Sequence, residues 1–242
     1  MNIENKTILI TGANRGIGRA LVEEALKRGA KRVYAATRQA FPHADERVMQ
    51  LTLDVTNAAQ IQAAVEKVDS FDILVNNAGI AIYDDLSRTN VIEQHLDVNF
   101  LGMLRVTQAF APLLKRSKGD IVNNLSVLSL APVPIIPAYS ISKAAALSLT
   151  QSLRVLLAGD GVKVHSVFLG PIDTDMNRGI ETPKASAETA AQGIFDGLEK
   201  GEDDIFPDPL SQSIADGWRA GVAKVLEGQL AGFAQDSVAK VA

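Results

Sequence analysis

A tyrosine and a lysine four residues apart could carry out proton transfer in this chain of 242 residues. Tyr139 and Lys143 begin a stretch with helical spacing, so they should share one helical face with Cβ atoms roughly 5–6 Å apart. A phenol with its ordinary pKa of about 10 is a poor base at neutral pH, and a neighbouring ammonium lowers that pKa. The pair therefore predicts a general acid/base, although the same spacing also arises by chance in ordinary surface pairs.

Two further polar residues could complete such a site. Ser126 follows a predicted strand at residues 120–124, where its hydroxyl could bond a carbonyl oxygen as negative charge develops on it. Ser129 is a rival for that role, and a turn serine without chemistry is the simpler interpretation of either residue. Asn99 falls in the apolar stripe of a predicted helix. Because a buried amide needs hydrogen-bond partners, we expect Asn99 to bind backbone or water.

A glycine-rich turn directly follows the first predicted strand, residues 7–10. Glycine adopts torsions that other residues avoid, and a strand–turn–helix arrangement points helix N–H groups at a pyrophosphate. Three glycines alone would also fit a tight turn without a ligand, but their place between strand and helix favours a dinucleotide site. The expected contacts in this turn are Gly12, Asn14, Arg15, Gly16, Ile17 and Gly18.

The charges near the second predicted strand indicate which dinucleotide binds. An NAD site usually places an acid about 20 residues after the glycine turn. Residues 33–42 contain no acid, and Arg38 stands there instead. Together with Arg15 it could grip a 2′-phosphate, although either arginine alone would fit a solvated surface. NADP(H) is therefore the expected cofactor.

Short apolar runs alternate with helical patterns along the whole chain. Near-continuous apolar strands separated by helices indicate a parallel sheet with helices on both faces. We therefore predict an α/β fold, a single doubly wound, Rossmann-like domain over residues 1–242 with about seven strands, whose ligands bind at the carboxyl ends of the strands. The predicted strands are residues 7–10, 33–36, 48–53, 72–75, 120–124, 163–168 and 204–206.

The connections between the strands carry weaker signals. Helical spacing predicts long helices at residues 96–115 and 138–157, whereas the link at residues 37–47 is too short for a crossover helix. The tail from Ser211 should dock on the core or an interface through an apolar stripe, and a lid over the site is only a guess. That stripe consists of Ile214, Trp218, Val222, Val225 and Leu226.

Composition argues against several functional classes. The net charge is −4, the pI is near 5.4 and the basic residues are scattered, which is unlike a nucleic-acid-binding surface. Cysteine is absent, and His43, His95 and His165 are isolated, so we expect structural histidines and no catalytic metal. Residues 1–6 are polar, and no apolar stretch approaches the roughly 20 residues that cross a bilayer. These features predict a cytoplasmic protein without nucleic-acid or membrane partners.

Taken together, these motifs resemble those of the short-chain dehydrogenase/reductase family over nearly the whole chain. The resemblance implies an NADP(H)-dependent oxidoreductase of the carbonyl reductase or alcohol dehydrogenase type, acting on a small-molecule ketone, aldehyde or secondary alcohol. It implies that the tyrosine is the general acid/base, that the lysine also binds the nicotinamide ribose and that Asn99 holds a water in a proton relay. The motifs are Thr11-Gly-x-x-x-Gly-x-Gly18, Asn76-Asn77-Ala78-Gly79, Asn99, Ser126 and Tyr139-x-x-x-Lys143.

The resemblance also implies further cofactor contacts and an assembly. Asp54 would bond the adenine amine, and Thr174 would bond the nicotinamide carboxamide. The contacts that it adds are Asp54, Val55, Asn76, Ala78, Gly79, Gly170, Ile172 and Thr174, besides Tyr139 and Lys143. Family analogy implies a homo-oligomer, either a tetramer or a dimer. Leu169 replaces a usual proline and Leu125 a common serine, which should alter loop shape more than chemistry.

The substrate and two rival functions are less constrained. The apolar run at residues 127–133 favours hydrophobic or aromatic ketones, although core packing explains it equally well, and the polar stretch at residues 175–184 could be a mobile substrate loop. A non-catalytic NADP-binding regulator is one rival, but it should lack Tyr139 or Lys143. An epimerase or dehydratase is another, but it should have a differently spaced glycine turn and a larger C-terminal region.

Overall fold

The computed structural model describes residues 2–237. Its strands are β1 (Thr7–Thr11), β2 (Arg32–Thr37), β3 (Val48–Thr52), β4 (Ile73–Asn76), β5 (Asp120–Asn124), β6 (Lys163–Val167), β7 (Ile172–Asp173), β8 (Ala185–Ser186) and β9 (Asp204–Ile205). Seven of them form one parallel sheet in the order β3-β2-β1-β4-β5-β6-β9, and β7 pairs with β8 in a small second sheet. This confirms the doubly wound fold and all seven predicted strands. The strand order reverses between β1 and β4, which is where such sheets bind ligands.

Helices connect most of the strands. They are α1 (Gly16–Lys27), α2 (Ala58–Val65), α3 (Thr89–His95), α4 (Met103–Ser117), α5 (Pro137–Ala158), α6 (Ala187–Lys200), α7 (Pro209–Arg219) and α8 (Val222–Ser237). A π-helical segment, Leu96–Gly102, joins α3 to α4. The helix predicted at residues 96–115 therefore begins earlier, and neither α3 nor α6 was predicted. As expected, the link from β2 to β3 contains no helix.

The two faces of the sheet bury separate apolar layers. Ile8 and Ile10 of β1 point to one face and pack in a core with residues of α1 and α6. Leu9, between them, points to the opposite face and packs with residues of α2, α4 and α5. This alternation follows from the two-residue repeat of a strand, and it explains why the strands have apolar residues at consecutive positions.

The tail after β9 departs from its predicted packing. Trp218 docks as expected, with its ring 5.2 Å from that of Phe168. Instead of an apolar stripe, an ion pair between Arg154 of α5 and Glu227 of α8 holds the last helix to the body. Docking at an interface stays a prediction, whereas the prediction of docking on the core was therefore wrong for four of the five residues, which are exposed in the single chain: Ile214, Val222, Val225 and Leu226. Within residues 2–237, no helix is both long enough and apolar enough to span a membrane.

Candidate active site

A cleft of about 440 Å³ opens where β1, β4 and β5 end. The glycine turn and the start of α5 both border it, so the predicted dinucleotide contacts and the predicted catalytic pair face one space. No described residue of α7 or α8 lines the cleft, so these helices do not cover it. The predicted residues that line it are Gly12, Asn14, Arg15, Gly16, Ile17, Gly18, Arg38, Asp54, Val55, Ala78, Gly79, Tyr139, Lys143 and Thr174.

The glycine turn requires glycine at defined positions. Gly12 has a φ of +66° and Gly16 a φ of +51°, in the left-handed region that favours glycine. A Cβ atom on Gly18 would lie 2.1 Å from the carbonyl oxygen of Gly12, closer than any real contact. The turn therefore packs against the start of α1 more tightly than any side chain would permit.

Asn77 connects this turn to the end of β4. Its side-chain amide donates to the carbonyl oxygens of Thr11 at 2.9 Å and Gly12 at 3.2 Å. In return, the Thr11 hydroxyl accepts from the backbone N–H groups of Asn77 and Ala78. These bonds satisfy backbone groups that the turn would otherwise leave without partners. They hold the glycine turn and the segment after β4 as one unit.

Charged groups lie at the other end of the cleft. Arg38 and Arg15 both line it, and Arg15 lies 3.8 Å from the carboxylate of Asp175. Burial alone would raise the pKa of Asp54, but hydrogen bonds from Thr56 and the nearby Arg38 charge hold it below its usual range. Asp54 is therefore an anion close to the Arg38 guanidinium, in a cleft that Arg15 also lines.

Three of the predicted cofactor residues do not line the cleft. Asn76 is buried between β4 and its neighbours, where its amide donates to Thr107 and Asn123. The N–H of Gly170 donates to Asp208, and a Cβ atom there would lie 2.5 Å from that carboxylate. Ile172 packs in the core, and its carbonyl oxygen accepts from Asn177. In each case the residue bonds or packs within the protein and not at the cleft, although the buried Oδ1 of Asn76 has no hydrogen-bond partner among the described residues.

The predicted catalytic side chains converge at the end of β5. Ser126 follows this strand. Its hydroxyl donates to the carbonyl oxygen of Leu169 at 3.3 Å and lies close enough to the Tyr139 phenol to affect its pKa. The Lys143 ammonium lies 5.7 Å from the centre of the Tyr139 ring and donates to the carbonyl oxygen of Asn124 at 2.7 Å. Ser129, the rival serine, instead donates its hydroxyl to the Ser126 carbonyl. Neither serine is among the residues that line the cleft, but Ser126 is the one that lies beside the phenol.

Burial governs the ionisation of both groups. Burial raises the pKa of Tyr139 to about 12, and the interaction with Ser126 lowers it in part. The Tyr139 side chain is half-buried, and part of it faces the cleft. Burial lowers the pKa of Lys143 to about 8. A low-dielectric surrounding disfavours the charged form of each group. The expectation that Lys143 lowers the pKa of Tyr139 is therefore not met in this structure, where burial dominates the shift and the Lys143 ammonium is held on the Asn124 carbonyl.

Asn99 lies within the π-helical segment, a type of distortion that is frequent at functional sites. Its carboxamide accepts from the N–H of Ile80 at 2.8 Å and donates to the carbonyl of Ile80 at 3.0 Å. The same amide nitrogen donates to the hydroxyl of Ser142 in α5. This confirms the expectation that its side chain binds backbone, and it ties the loop after β4 to the helix that carries Tyr139.

The sequence reasoning missed several residues around the cleft. Asn77 was quoted within its motif but given no role, although it braces the glycine turn. Asn124 was seen only as the end of a strand, yet it holds Lys143 through its carbonyl and Asn77 through its amide. Their positions at strand ends on the ligand side were the available signal. The others are Thr37, Gln39, Leu53, Ile80, Val98, Leu125 and Leu169.

The two segments expected near the substrate differ in placement. None of residues 127–133 lines the cleft, and Val127 and Leu130 pack instead against an apolar cluster, as the core-packing alternative predicts. Residues 175–184 lie between β7 and β8, and their first two residues do line the cleft. Among the described residues, no cluster of histidine, aspartate or glutamate could hold a metal ion.

A doubly wound sheet with a glycine turn and a Tyr–Lys–Ser set at one edge defines a dinucleotide-binding fold with groups for proton transfer. The sequence matches the short chain dehydrogenase family over residues 6–185. It is 40% identical over 188 residues to the short-chain dehydrogenase PC-15 of Penicillium crustosum, covering 71% of this chain and 68% of that protein. The chain therefore belongs to the short-chain dehydrogenase family.

Solved structures are similar over most of the chain. A short chain dehydrogenase from Burkholderia cenocepacia in complex with NADP has a TM-score of 0.87 and 35% identity, covering 95% of this chain and 99% of that one. The NADPH-bound carbonyl reductase from chicken fatty liver has a TM-score of 0.73 and 26% identity, covering 81% and 91%.

Proposed function

We propose that this protein is an NADP(H)-dependent oxidoreductase that interconverts a ketone or aldehyde with an alcohol, with Tyr139 as the general acid/base. The observation that carries the proposal is that Tyr139 and Lys143 line the cleft that the glycine turn borders, with Ser126 buried beside the phenol. Neither the catalytic side chains nor the glycine turn alone defines a reaction. Together they bring a proton donor to the place where a dinucleotide would lie.

The residues around the cleft fit a phosphorylated dinucleotide. The glycine turn packs backbone so closely that a side chain would clash there, and it places the N-terminus of α1 at the cleft, which suits a pyrophosphate. Arg15 and Arg38 supply two guanidiniums for a 2′-phosphate, and no acid in residues 33–42 would repel it. Two similar proteins bind NADP or NADPH. These points support NADP(H) over NAD(H).

The reaction would divide between the cofactor and three side chains. NADPH supplies a hydride to the carbonyl carbon when it is bound. As the oxygen gains negative charge, Ser126 donates a hydrogen bond to it, and Tyr139 gives it the phenolic proton. The Lys143 ammonium offsets the charge of the resulting phenolate. In the reverse direction the phenolate takes the proton back from the alcohol.

The ionisation states suit reduction near neutral pH. Because burial raises the pKa of Tyr139 to about 12, its phenol keeps the proton that it must donate. With a pKa of about 8, Lys143 is mostly charged at pH 7 and loses that charge above pH 8. The rate of carbonyl reduction should therefore fall as the pH rises through about 8. Oxidation of an alcohol needs the phenolate and should gain from higher pH.

Apolar side chains near the catalytic set favour an uncharged substrate. Ile80, Leu125, Leu169 and Met176 line the cleft along with Tyr139. Apolar lining favours burial of aliphatic or aromatic groups and disfavours an unpaired carboxylate. We infer that hydrophobic or aromatic carbonyl compounds are the preferred class. The homo-oligomer and the cytoplasmic location implied by family analogy stay predictions.

The direct test is steady-state oxidation of NADPH and NADH with a panel of carbonyl compounds. Aliphatic and aromatic ketones and aldehydes should be reduced, with NADPH preferred. A carboxylate-bearing ketone of matched size serves as the control and should be a poor substrate. Tight NADPH binding without turnover of any compound would contradict the proposal and favour a regulatory NADP-binding protein.

A further inference from the structure

His95 lies between the loop after β4 and the helix that carries Tyr139, and the reaction proposed above does not use it. It is the last residue of α3 and is 0% exposed. Its ring centre lies 6.3 Å from that of Tyr139, with the two planes at 77°. Aromatic rings favour such an edge-on arrangement. The imidazole therefore forms one wall of the space that the phenol ring can occupy.

Both ring nitrogens of His95 have backbone partners. Nε2 lies 3.0 Å from the backbone nitrogen of Ile82, and Nδ1 lies 2.8 Å from the carbonyl oxygen of Val91. An N–H can only donate and a carbonyl can only accept, so the imidazole is neutral with its proton on Nδ1. Two bonds on opposite sides of the ring fix its plane, and with it the wall that faces Tyr139.

His95 and Asn99 hold the same loop. Asn99 binds both backbone groups of Ile80, and His95 binds the N–H of Ile82 two residues on. Asn99 also bonds Ser142 in α5. Because Ile80 lines the cleft, these two side chains together fix the distance between the cleft-lining loop and the helix that carries the catalytic pair.

We propose that His95 is a positioning residue for Tyr139: its ring orients the phenol, and its Nε2 fixes the loop opposite. The inference rests on the proposed function, because the phenol's orientation matters to the rate only if Tyr139 transfers the proton. A misplacement of a reacting group by about 1 Å can cost on the order of 100-fold in rate. A neighbouring ring can therefore control turnover without touching the substrate.

Three substitutions separate the two contacts. His95→Phe keeps an aromatic ring but removes the acceptor for Ile82, His95→Gln keeps an acceptor but removes the ring, and His95→Leu removes both. We expect His95→Leu to lower kcat about 10- to 100-fold and the other two to retain intermediate rates. The KM and Kd for NADPH should stay within about 2-fold, since no cofactor contact changes.

A second buried histidine provides the matched control. His165 in β6 bonds the carbonyl of Glu202 through Nδ1 and is 1% exposed, but it does not contact Tyr139. His165→Leu should leave kcat within about 2-fold of the wild type. The positioning role is overturned if all three His95 variants turn over at the wild-type rate. It is equally overturned if kcat falls only in step with NADPH affinity and Tm.

An activity-independent measurement separates this inference from the proposed function. The chain has only 3 tyrosines, so ring-labelled tyrosine should give few NMR signals, and Tyr139→Phe identifies the one from Tyr139. His95→Leu should shift that signal and leave the signal of Tyr34, in β2, in place. If the wild-type protein reduces no carbonyl compound, the proposed function fails. The Tyr139 NMR signal then still tests, without any activity, whether His95 positions the phenol. An unchanged Tyr139 signal would overturn the positioning.

Discussion

At the scale of single residues, charge distinguishes the two ends of the cleft. Arg15 and Arg38 lie at the end away from the catalytic set, and both remain accessible to a ligand. A solvated guanidinium that meets a 2′-phosphate forms paired, charge-assisted hydrogen bonds, whereas it gains little from a 2′-hydroxyl. Cofactor preference should therefore depend on these side chains more than on the glycine turn, which contacts parts common to both dinucleotides.

Replacing Arg38 with aspartate should reverse the preference for the phosphorylated cofactor. We expect Arg38→Asp to weaken NADPH binding by about 2 kcal/mol or more, roughly 30-fold, because it removes one cation and repels the phosphate. NADH binding should change by less than about 3-fold. The measurement is the Kd of both cofactors. Arg32→Asp, at the opposite end of β2, is the control, and an equal loss of both cofactors by Arg38→Asp would refute the charge argument.

The buried Lys143 ammonium should cost the protein stability. Its folded pKa of about 8 lies below the ordinary 10.5, so the folded state disfavours the charge. Lys143→Met should therefore raise the free energy of unfolding at pH 7 by on the order of 1–3 kcal/mol, less the lost bond to Asn124, while it abolishes turnover. Urea unfolding at several pH values measures this effect.

The difference in unfolding free energy between Lys143→Met and the wild type depends on pH because the pKa of Lys143 is lower in the folded state. Between about pH 8 and pH 10.5 the unfolded chain binds the lysine proton and the folded chain does not. Wild-type stability therefore rises with pH across this window relative to the variant. The advantage of Lys143→Met should shrink above pH 8 and vanish near 10.5. A constant advantage at all pH values would show that side-chain packing, and not charge, is responsible.

At the scale of elements, the glycine turn depends on close contact between backbone segments. A Cβ atom on Gly18 would meet the Gly12 carbonyl at 2.1 Å, and backbone cannot move aside as a flexible side chain can. Gly18→Ala should therefore deform the turn and weaken NADPH binding by about 100-fold or more. Gly217→Ala is the matched control, because that helical glycine has open space around its Cβ position and alanine should add up to about 1 kcal/mol of stability. Equal NADPH affinity in both variants would contradict this reading of the turn.

The sequence predicted elements where local pattern and burial agree. The seven sheet strands are short apolar runs between polar links, and each was identified. The helix α6 was missed, although Ser186 caps it and its alanines and isoleucine face the core. The π-helical segment Leu96–Gly102 has no signature in composition, because it depends on how Asn99 and its neighbours meet the loop after β4.

The candidate site was predictable to a similar degree. Residues within sequential motifs, such as Tyr139 and the glycine turn, were found because spacing alone implies their geometry. Asn124 was missed because its role depends on partners in β4 and α5, far away in sequence. Asn76 was assigned to the cleft because its motif borders it, but alternation along β4 turns its side chain into the protein.

At the scale of the whole molecule, a charged network fixes the tail that follows β9. Arg154 of α5 binds Asp204 at the edge of the sheet and Glu227 of α8, and Lys224 binds both carboxylates as well. These groups are mostly buried, with 5% of the Asp204 side chain exposed. The network joins the sheet edge, α5 and α8, so within one chain it holds α8 in place of the predicted apolar packing on the core.

Breaking this network should destabilise the protein without changing its chemistry. Arg154→Met leaves two carboxylates with one fewer cation, and the loss of one partner in a buried ion pair costs about 3–5 kcal/mol. We expect the lower end of that range because Lys224 remains, and kcat should not change. Urea unfolding of this variant is compared with Lys115→Met, which breaks an exposed pair and should cost less than about 1 kcal/mol. Equal stability of the two variants would contradict a structural role for the network.

The central claim is that the Tyr139 phenol gives a proton to a substrate beside a bound dinucleotide. The most direct test measures kcat and NADPH affinity together in Tyr139→Phe, which removes one oxygen atom and keeps the ring. The account predicts that kcat falls by about 100-fold or more, as expected for loss of a general acid, while the Kd for NADPH stays within about 3-fold. Turnover at the wild-type rate by this variant would contradict it.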